Sequence, residues 1–598
     1  MAVDRAGRLP RAALAALALL LVVAGVVIAI ALRASTEQES APERPRVQTS
    51  AVPDLGPNVT VLDPSMDQAD VQARVDEIFA AQETNQFGER RDAVLFTPGD
   101  YDVTVDVGFY TSVLGLGLSP DDVTIRGQVR VDADWFQGNA TQNFWRSVEN
   151  LAIEPDGGVN RWAVAQAAPM RRVHVRGALD VYPSGSGWAS GGYIADSRVD
   201  GLVSSGSQQQ WFSRNSSFGG WDGSSWNMVF SGVEGAPPSS FPHPPFTVLE
   251  STPASREKPF LYVDADGGYR VFLPDARRDS SGASWTGGET AGHSLAIDRF
   301  FVAQPHDSAA EINAALDEGL NLLLTPGVYR LDETIRIAHA DTVVLGIGLP
   351  TLIPQNGVDA MSVADVDGVR LAGFLIDAGA ENSDALLRLG GDGAGARHDT
   401  NPSTVQDVYF RIGGAGPGRA TTSLVVDSAD VIIDHIWAWR GDHGDGVGWN
   451  ENTAETGVVV NGANVVATGL FVEHFQGYQV VWNGENGRTV FFQNEMPYDP
   501  PDQNAWRSGD SDGYAAYRVG EEVSRHELWG GGSYCYFTVN PEVRASRAFE
   551  VPNAPGVRLH GVLTVSLGGQ GSIGAVVNST GAGVGPDWTG PSSVTTYP

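Results

Sequence analysis

The chain has 598 residues, a formal net charge of −33, 42% hydrophobic and 19% charged residues, 72 glycines and one cysteine. This length predicts two or more large domains with substantial cores. The net charge argues against binding to the phosphate backbone of nucleic acids and disfavours polyanionic substrates such as uronate polymers. Cys535 alone excludes an internal disulfide framework and a multi-cysteine zinc site.

The N-terminus carries an apolar segment. Three arginines precede an uncharged run at 12–32, and Arg33 follows it. The run is long enough for one membrane-spanning helix, and the arginine asymmetry places the N-terminus inside. We predict a signal anchor over residues 1–33, with a cleaved signal as the alternative, and a flexible linker over 34–57. The remaining chain would then be extracytoplasmic, either anchored to the cell membrane or secreted if the segment is cleaved.

One sequence pattern occurs twice, about 230 residues apart. The segment Val-Leu-Phe-Thr-Pro-Gly-Asp-Tyr ending at Tyr101 matches Leu-Leu-Leu-Thr-Pro-Gly-Val-Tyr ending at Tyr329, and a glycine-rich strand follows each. An amphipathic helix precedes each copy, and the second has a capping-box signature at Ser308 and Glu311. The repeat indicates a duplicated domain.

Short β-branched runs, separated by Gly, Asn and Asp, follow each opening. Their spacing of about 20–35 residues, without long intervening helices, is typical of a parallel β-solenoid. We therefore predict an all-β fold of two tandem right-handed parallel β-helices of the pectin-lyase type, at 58–235 and 300–598. A Pro-rich connector with a small β module would occupy 236–299, and each opening helix would cap the apolar end of its solenoid.

Two glutamates are the strongest candidates for chemistry. Glu473 and Glu495 each follow an apolar strand and lie 22 positions apart, about one solenoid coil. If the coils are in register, the two carboxyls lie on neighbouring rungs ~4.8 Å apart, and their repulsion raises a pKa. A carboxyl that stays protonated near neutral pH suits a general acid for glycosidic cleavage. Nearby aromatics offer faces for sugar rings; they are Tyr478, Trp482 and Tyr498.

Other motifs leave alternatives open. Trp437 and Trp439 share one face of a strand, which is a sugar platform if it points outward and core if it points inward. Asp434-His435 and the Asp442–Asp445 segment could hold a metal, but loop residues of this type more often form hydrogen bonds, so we predict no metal site. Neither Gly-x-Gly pair continues into a dinucleotide fingerprint, and we predict no cofactor.

The segment Gln493-Asn-Glu-Met-Pro-Tyr498 resembles the Gln-x-Glu-x-Pro-Tyr segment of glycoside hydrolase family 55, the β-1,3-glucanases built from two tandem β-helices. Glu473-His-x-x-x-Tyr-Gln479 supports the likeness. So do Ser190-Gly-Gly and Gln209-Gln-Trp-Phe-Ser-Arg-Asn215 in the first half, and the similarity spans about 60–560.

The resemblance implies that Glu495 is the general acid of an inverting reaction in a cleft between the two helices. It also implies that a polar network, with Glu473 and side chains of the first helix, holds the attacking water. The predicted catalytic residues are Glu495, Glu473, Gln209, Gln210 and Ser213. The predicted substrate-binding residues are Tyr478, Gln479, Trp482, Gln493, Tyr498, Trp437 and Trp439.

The sequence therefore predicts a monomeric glycosidase that cleaves laminarin-type β-1,3-glucan, contacts the membrane only through its anchor and binds no nucleic acid. Two alternatives remain. One is a β-helix hydrolase or lyase that acts on another polysaccharide, and the other is a non-catalytic surface solenoid that binds glycans.

Overall fold

A computed structural model of the chain describes residues 52–391 and 393–598. The predicted signal anchor lies outside these residues, as does most of the predicted linker. Within the described part, no helix combines the length and apolar character needed to cross a membrane. The fold is all-β and consistent with β-helices.

Two α-helices open the two repeats. Helix α1 spans Gln68–Gln82 and begins where Asp67 accepts a hydrogen bond from the Ala69 amide. Helix α2 spans Ala309–Asp317, and Ser308 and Glu311 form the predicted capping box. The apolar face of each helix is buried in the core of its own solenoid.

The first solenoid (residues 59–249) is built on one ladder of parallel strands, each in register with the next coil. Its ladder strands are Val59–Leu62, Asp92–Phe96, Thr111–Gly115, Arg146–Glu154, Met170–Val175, Tyr193–Ala195, Gln210–Arg214, Asn227–Ser231 and Phe246–Leu249. Its other strands are Gly99–Tyr101, Val105–Asp106, Val123–Arg126, Val129–Arg130, Val159–Arg161, Ala178–Asp180, Arg198–Ser204 and Ser217–Asp222. The ladder continues past the predicted boundary at residue 235.

The bridging module (residues 252–296) joins the two solenoids through antiparallel strands. Its strands are Thr252–Arg256, Phe260–Val263, Tyr269–Pro274, Ala276–Ser280 and Gly292–Ala296. The short 3-10 helices of the described chain are Pro120–Asp122, Asp134–Phe136, Asp156–Gly158, Ile297–Arg299 and Leu567–Gly569.

The second solenoid (residues 300–597) has two long faces whose strands stack coil on coil. The long ladder comprises Phe300–Ala303, Asn321–Leu324, Val343–Gly346, Arg370–Asp377, Thr404–Ile412, Ile432–Arg440, Val466–Glu473, Gly487–Glu495, Arg525–Cys535, Gly556–Ser566 and Ser592–Tyr597. The second face comprises Ile335–Ile337, Met361–Val363, Ser383–Leu389, Ala420–Val426, Ala454–Val460, Val480–Trp482, Tyr517–Val519 and Phe549–Glu550. Short additional strands are Val328–Leu331, Thr351–Pro354, Arg507–Ser508, Ser511–Asp512, Arg544–Ala545 and Ser572–Ile573.

A column of left-handed residues interrupts successive strands of the long ladder. One residue per rung has a positive φ, and pairing resumes on both sides of it. The column contains Gly373, Asp407, His435, Gly469, Phe491, Gly530 and Gly561. These bends turn the ladder towards the rest of the molecule: His435 stacks on Tyr193, and Phe491 stacks on Phe212 of the first solenoid.

A buried ionic cluster fixes the two solenoids to the bridging module. Arg214 donates to both oxygens of Asp434 at 2.9–3.0 Å and to both oxygens of Glu257 at 2.7 Å. Arg171 donates to both oxygens of Asp407 at 2.7–2.8 Å. Lys258, the single lysine of the chain, contacts Asp407 at 3.4 Å. Asp434 therefore belongs to a structural ion-pair network.

Candidate active site

A polar cleft of about 600 Å³ lies where the long ladder of the second solenoid meets the first solenoid. One wall comes from the first solenoid and includes Gln166, Ser190 and Gln209. The opposite wall comes from the C-terminal ends of two neighbouring strands, where Glu473 and Glu495 are located. The cleft therefore brings together residues that are about 300 positions apart in sequence.

Glu473 and Glu495 lie on adjacent rungs. Phe471 pairs with Gln493 in a parallel register with the 22-residue offset. Beyond that pair, the His474 amide donates to the Glu495 carbonyl at 2.8 Å. The coils are thus in register, which places the two carboxyl-bearing residues side by side at the edge of the ladder.

The Glu473 carboxyl is buried, and a donor from each solenoid holds it. Gln166 Nε2 donates to Oε1 at 2.8 Å, and Trp437 Nε1 donates to Oε2 at 2.8 Å. Gln166 also accepts a hydrogen bond from Ser190 Oγ at 3.3 Å. The side chain is therefore fixed in orientation, and both of its oxygens are occupied.

Glu495 borders the open part of the cleft. The hydroxyl of Tyr498 donates to Glu495 Oε2, and the Tyr498 ring packs edge-on against the imidazole of His474 with centroids 4.4 Å apart. His474 Nδ1 lies 3.1 Å from the Met496 carbonyl, and its Nε2 lies 3.9 Å from Asp442. Tyr498 and His474 thus lie on one side of Glu495, and the cleft lies on the other.

Burial raises the pKa of both carboxyls. For Glu473 the rise is large, because the charge of Glu495 adds to burial, although the Trp437 and Gln493 contacts oppose it. For Glu495 burial raises the pKa, while His474 and the Tyr498 hydroxyl lower it. Two interacting carboxyls with raised pKa values retain a proton between them at pH values at which an ordinary glutamate has already lost its own.

Trp437 and Trp439, which could form either a sugar platform or core, lie in the core. Trp437 and Trp439 stack on each other with centroids 5.3 Å apart and pack against Trp145 of the first solenoid at 5.5 and 5.7 Å. Both side chains are only 1% exposed, although their edges border the cleft. They belong to the hydrophobic cluster between the solenoids, and Trp437 also orients Glu473.

The predicted polar residues of the first solenoid separate into two groups. Gln209 lines the cleft, whereas the Gln210 side chain turns back to donate to the Ser190 carbonyl at 2.8 Å. Ser213 is completely buried on the strand face that it shares with Trp211, a residue of the first solenoid's core. The assignment of Ser213 to the water-holding network is therefore wrong.

Three residues predicted to bind substrate lie elsewhere in the second solenoid. Trp482 is fully buried in its core, because the short strand Val480–Trp482 directs that side chain inward. The Gln479 amide braces the preceding turn through the Phe475 backbone, at 2.8 and 2.9 Å. Tyr478 hydrogen-bonds Ser508 at 2.8 Å, away from the cleft lining. These three assignments are wrong, whereas Tyr498 lines the cleft and Gln493 is buried beside Glu473.

Among the cleft residues that were not predicted as site residues, four contact the two glutamates or the groups around them. They are Gln166, Ser190, Asp442 and His474. Gln166 is the polar residue of an alanine-rich segment, and a buried amide in such a segment is a usable sequence signal. Asp442 contacts His443 Nδ1 at 2.9 Å, and His443 Nε2 lies 2.7 Å from Gln86 Nε2 of the first solenoid, so this loop forms a hydrogen-bonded rim to the cleft.

Comparisons with known proteins agree with this architecture. A family model described as the LAM55 pectate lyase-like domain matches residues 300–495. An exo-β-1,3-glucanase of Streptomyces sp. (strain SirexAA-E / ActE) is 59% identical over 546 residues, which cover 91% of this chain and 90% of that protein.

Two solved structures are similar over nearly the whole described chain. One is sacteLam55A from Streptomyces sp. SirexAA-E, with a TM-score of 0.90 at 59% identity, covering 91% of this chain and 99% of that one. The other is a glutamate-to-alanine variant of sacteLam55A in complex with glucose, with a TM-score of 0.90 at 58% identity and coverages of 92% and 99%. The chain therefore belongs to the Lam55 family, glycoside hydrolase family 55.

Proposed function

We propose that this protein hydrolyses β-1,3-glucan in the cleft between its two solenoids, acting from a chain end as the name of its exo-β-1,3-glucanase relative suggests. The observation that carries the proposal is the pair of carboxyls on adjacent rungs, one held by donors and one bordering the cleft. A non-catalytic solenoid would have no need to bury two coupled carboxyls beside an open cleft.

Glu495 is the general acid in this proposal. Its carboxyl donates a proton to the glycosidic oxygen as the bond to the anomeric carbon breaks, and the leaving sugar departs with that proton. We assign the proton of the pair to Glu495, because both oxygens of Glu473 already accept hydrogen bonds from N–H donors. Tyr498 keeps the acid aimed at the cleft.

Water attacks the anomeric carbon from the opposite face, which inverts its configuration. The adjacent rungs separate the two backbones by about 4.8 Å, which is less than the ~6.5–9.5 Å between the carboxyls of a conventional inverting pair. A close pair suits a retaining enzyme, but Glu473 is buried and held at both oxygens, which disfavours it as a nucleophile. We propose instead that Gln166, Ser190, Gln209 and Glu473 hold the water, and that the Glu473 carboxylate takes up its proton.

We also propose that the chain forms two right-handed β-helices. The first, predicted at 58–235, extends to the end of its ladder at Leu249, and the second occupies 300–598. We further propose that the protein is extracytoplasmic and monomeric, and that its N-terminal segment anchors it in the membrane unless this segment is cleaved. The edges of Trp437 and Trp439, together with Tyr498, are the proposed sugar contacts.

A polysaccharide panel with product analysis tests the function. The protein is incubated with laminarin and with neutral and acidic glycans of other linkages, and the first product is followed by proton NMR. We expect glucose-containing products from laminarin, released first as the α-anomer. Initial release of the β-anomer would contradict inversion, and binding of laminarin without any product would support the non-catalytic alternative.

A further inference from the structure

A second groove lies at the opposite edge of the long ladder from the catalytic cleft. It has a volume of about 740 Å³. Residues at the N-terminal ends of the strands line the groove, whereas residues at their C-terminal ends line the cleft. The strand Val466–Glu473 reaches from Val466 in the groove to Glu473 in the cleft. Its eight residues separate the two sites by about 20 Å.

The groove follows the solenoid axis. Its floor crosses five successive rungs, and a hydrogen-bonded row of Asp430, Asn464 and Asn486 runs along it, with one such residue per rung and contacts of 2.9–3.0 Å. Five rungs span about 19 Å. The floor is therefore a straight polar track that matches an extended polymer segment.

Arginines dominate the groove in a protein that carries almost twice as many acidic as basic residues. Five arginines line it, against three acids. Two of the acids are already neutralised, because Arg397 pairs with Asp430 at 3.0 Å and Arg488 pairs with Glu527 at 2.7 Å. The third acid, Asp399, lies 3.4 Å from Arg397.

Three arginines keep their charge available. Within the described chain, Arg278, Arg525 and Arg558 are exposed and form no ion pair; Arg278 and Arg558 bond only to backbone carbonyls. Glu485, whose charge interacts with Arg525, is held instead by Ser524 at 2.7 and 2.9 Å. Among the described residues, three guanidinium groups thus face one groove without forming an ion pair, in a chain with a large surplus of carboxylates.

We propose that this groove binds an acidic polysaccharide that the enzyme does not cleave, through its carboxylates. Guanidinium groups bind carboxylates in a planar, bidentate manner, and asparagine amides bind sugar hydroxyls. The overall negative charge does not prevent this, because carboxylates more than about 8 Å away are screened at physiological salt. No Trp, Tyr or Phe of the described residues lines the groove, which disfavours stacking of nucleic acid bases.

The test measures binding of a carboxylated oligosaccharide, oligogalacturonate, by isothermal titration at 0.15 M salt. We expect saturable binding to the wild type, no shortening of the probe, and affinity reduced about tenfold or more in the double variant Arg525→Ser/Arg558→Ser. The matched control is Arg299→Ser, an exposed arginine outside the groove, which should bind as the wild type does.

Three outcomes would overturn the inference: no binding by the wild type, equal affinity in the double variant, or tighter binding of a single-stranded oligonucleotide than of the oligogalacturonate. Laminarin hydrolysis by each variant is measured in parallel and should stay within about twofold of the wild type, because the groove and the cleft are separate. Failure of the groove and failure of the proposed catalytic function are therefore distinguishable.

Discussion

Glu473 and Glu495 differ less in their own chemistry than in the groups around them. Glu473 is held by an indole and an amide, one from each solenoid, whereas Glu495 contacts a phenol and lies near an imidazole. Burial raises the pKa of both carboxyls, and the charge of Glu495 raises that of Glu473 further. The two roles therefore result from the neighbouring side chains.

Removal of the Glu473 charge tests this coupling. In the proposed reaction Glu473 is the ionised partner, so Glu473→Gln removes the repulsion between the two carboxyls. The pKa of Glu495 should then fall, although burial still keeps it above its usual value. The acid then loses its proton at lower pH, and the alkaline limb of the kcat/KM profile on laminarin should move to lower pH while kcat falls. An unchanged alkaline limb would show that Glu473 does not influence the acid.

Gln166 is expected to act through Glu473 and the attacking water. In Gln166→Ala, kcat should fall about 10- to 100-fold with KM nearly unchanged, because misplacement of the water costs rate more than binding. Gln355→Ala is the control, since its amide contacts only the Ile353 carbonyl. A rise in KM at constant kcat would instead make Gln166 a residue of substrate binding.

Residues that lie in a short sequence motif, or at a regular spacing along the chain, can be predicted from the sequence. The segment around Glu495 and Tyr498 was recognisable, and the 22-residue offset predicted the adjacent rungs correctly. The Gln166–Glu473 contact was not accessible, because it joins residues 307 positions apart through packing of one solenoid on the other. Trp482 was misassigned because a three-residue strand does not reveal which of its faces points inward.

Among the elements, the left-handed column of the long ladder accounts for four of the glycines. Gly469 lies against the Tyr193 ring, with 3.2 Å separating that ring from the position of an added Cβ, and Gly530 lies against Val229. Asp407, His435 and Phe491 occupy the same column and contact the first solenoid. The bends therefore create the surface on which the two solenoids pack.

Gly530→Ala tests the column. A Cβ at Gly530 would overlap Val229 Cγ2 in addition to straining a φ of +70°, so we expect a loss of about 2–4 kcal/mol of stability. Gly509→Ala is the matched control, because its φ is +58° and no atom lies within 4 Å of its added Cβ. It should lose only about 1–2 kcal/mol. Equal shifts in the denaturant midpoint of the two variants would contradict a packing role.

At the scale of the whole molecule, buried ion pairs join the parts that the cleft requires. Arg214 and Arg171 extend from the first solenoid to carboxylates of the second, and Glu257 belongs to the bridging module. The duplicated Thr-Pro-Gly pattern predicted two similar units, but it contains no information about this interface. The charges that form it are scattered between residues 171 and 434, and only the folded chain brings them together.

Arg214→Met should therefore be strongly destabilising. It leaves Asp434 and Glu257 buried without their main partner, which costs about 3–5 kcal/mol near neutral pH. The exposed pair of Arg74 and Glu77 provides the control, since Arg74→Met should cost less than about 1 kcal/mol. Comparable thermal midpoints for the two variants would argue against the cluster as a stabilising link.

The cluster also predicts acid sensitivity. The neighbouring guanidinium groups lower the pKa of Asp434 to about 2 in the folded protein. A lowered pKa contributes stability that is present above about pH 4 and is lost as the pH falls towards 2. The stability difference between wild type and Arg214→Met should therefore shrink over that range in acid titrations.

The identity of the general acid is tested most directly by Glu495→Gln on two substrates. Laminarin has a poor leaving group and needs the proton, whereas 2,4-dinitrophenyl β-glucoside has a leaving group that departs without one. We predict that the variant loses about 10²- to 10⁴-fold in kcat on laminarin and less than about tenfold on the activated glucoside. Equal losses on both substrates, or full activity on laminarin, would contradict the assignment of Glu495 as the general acid.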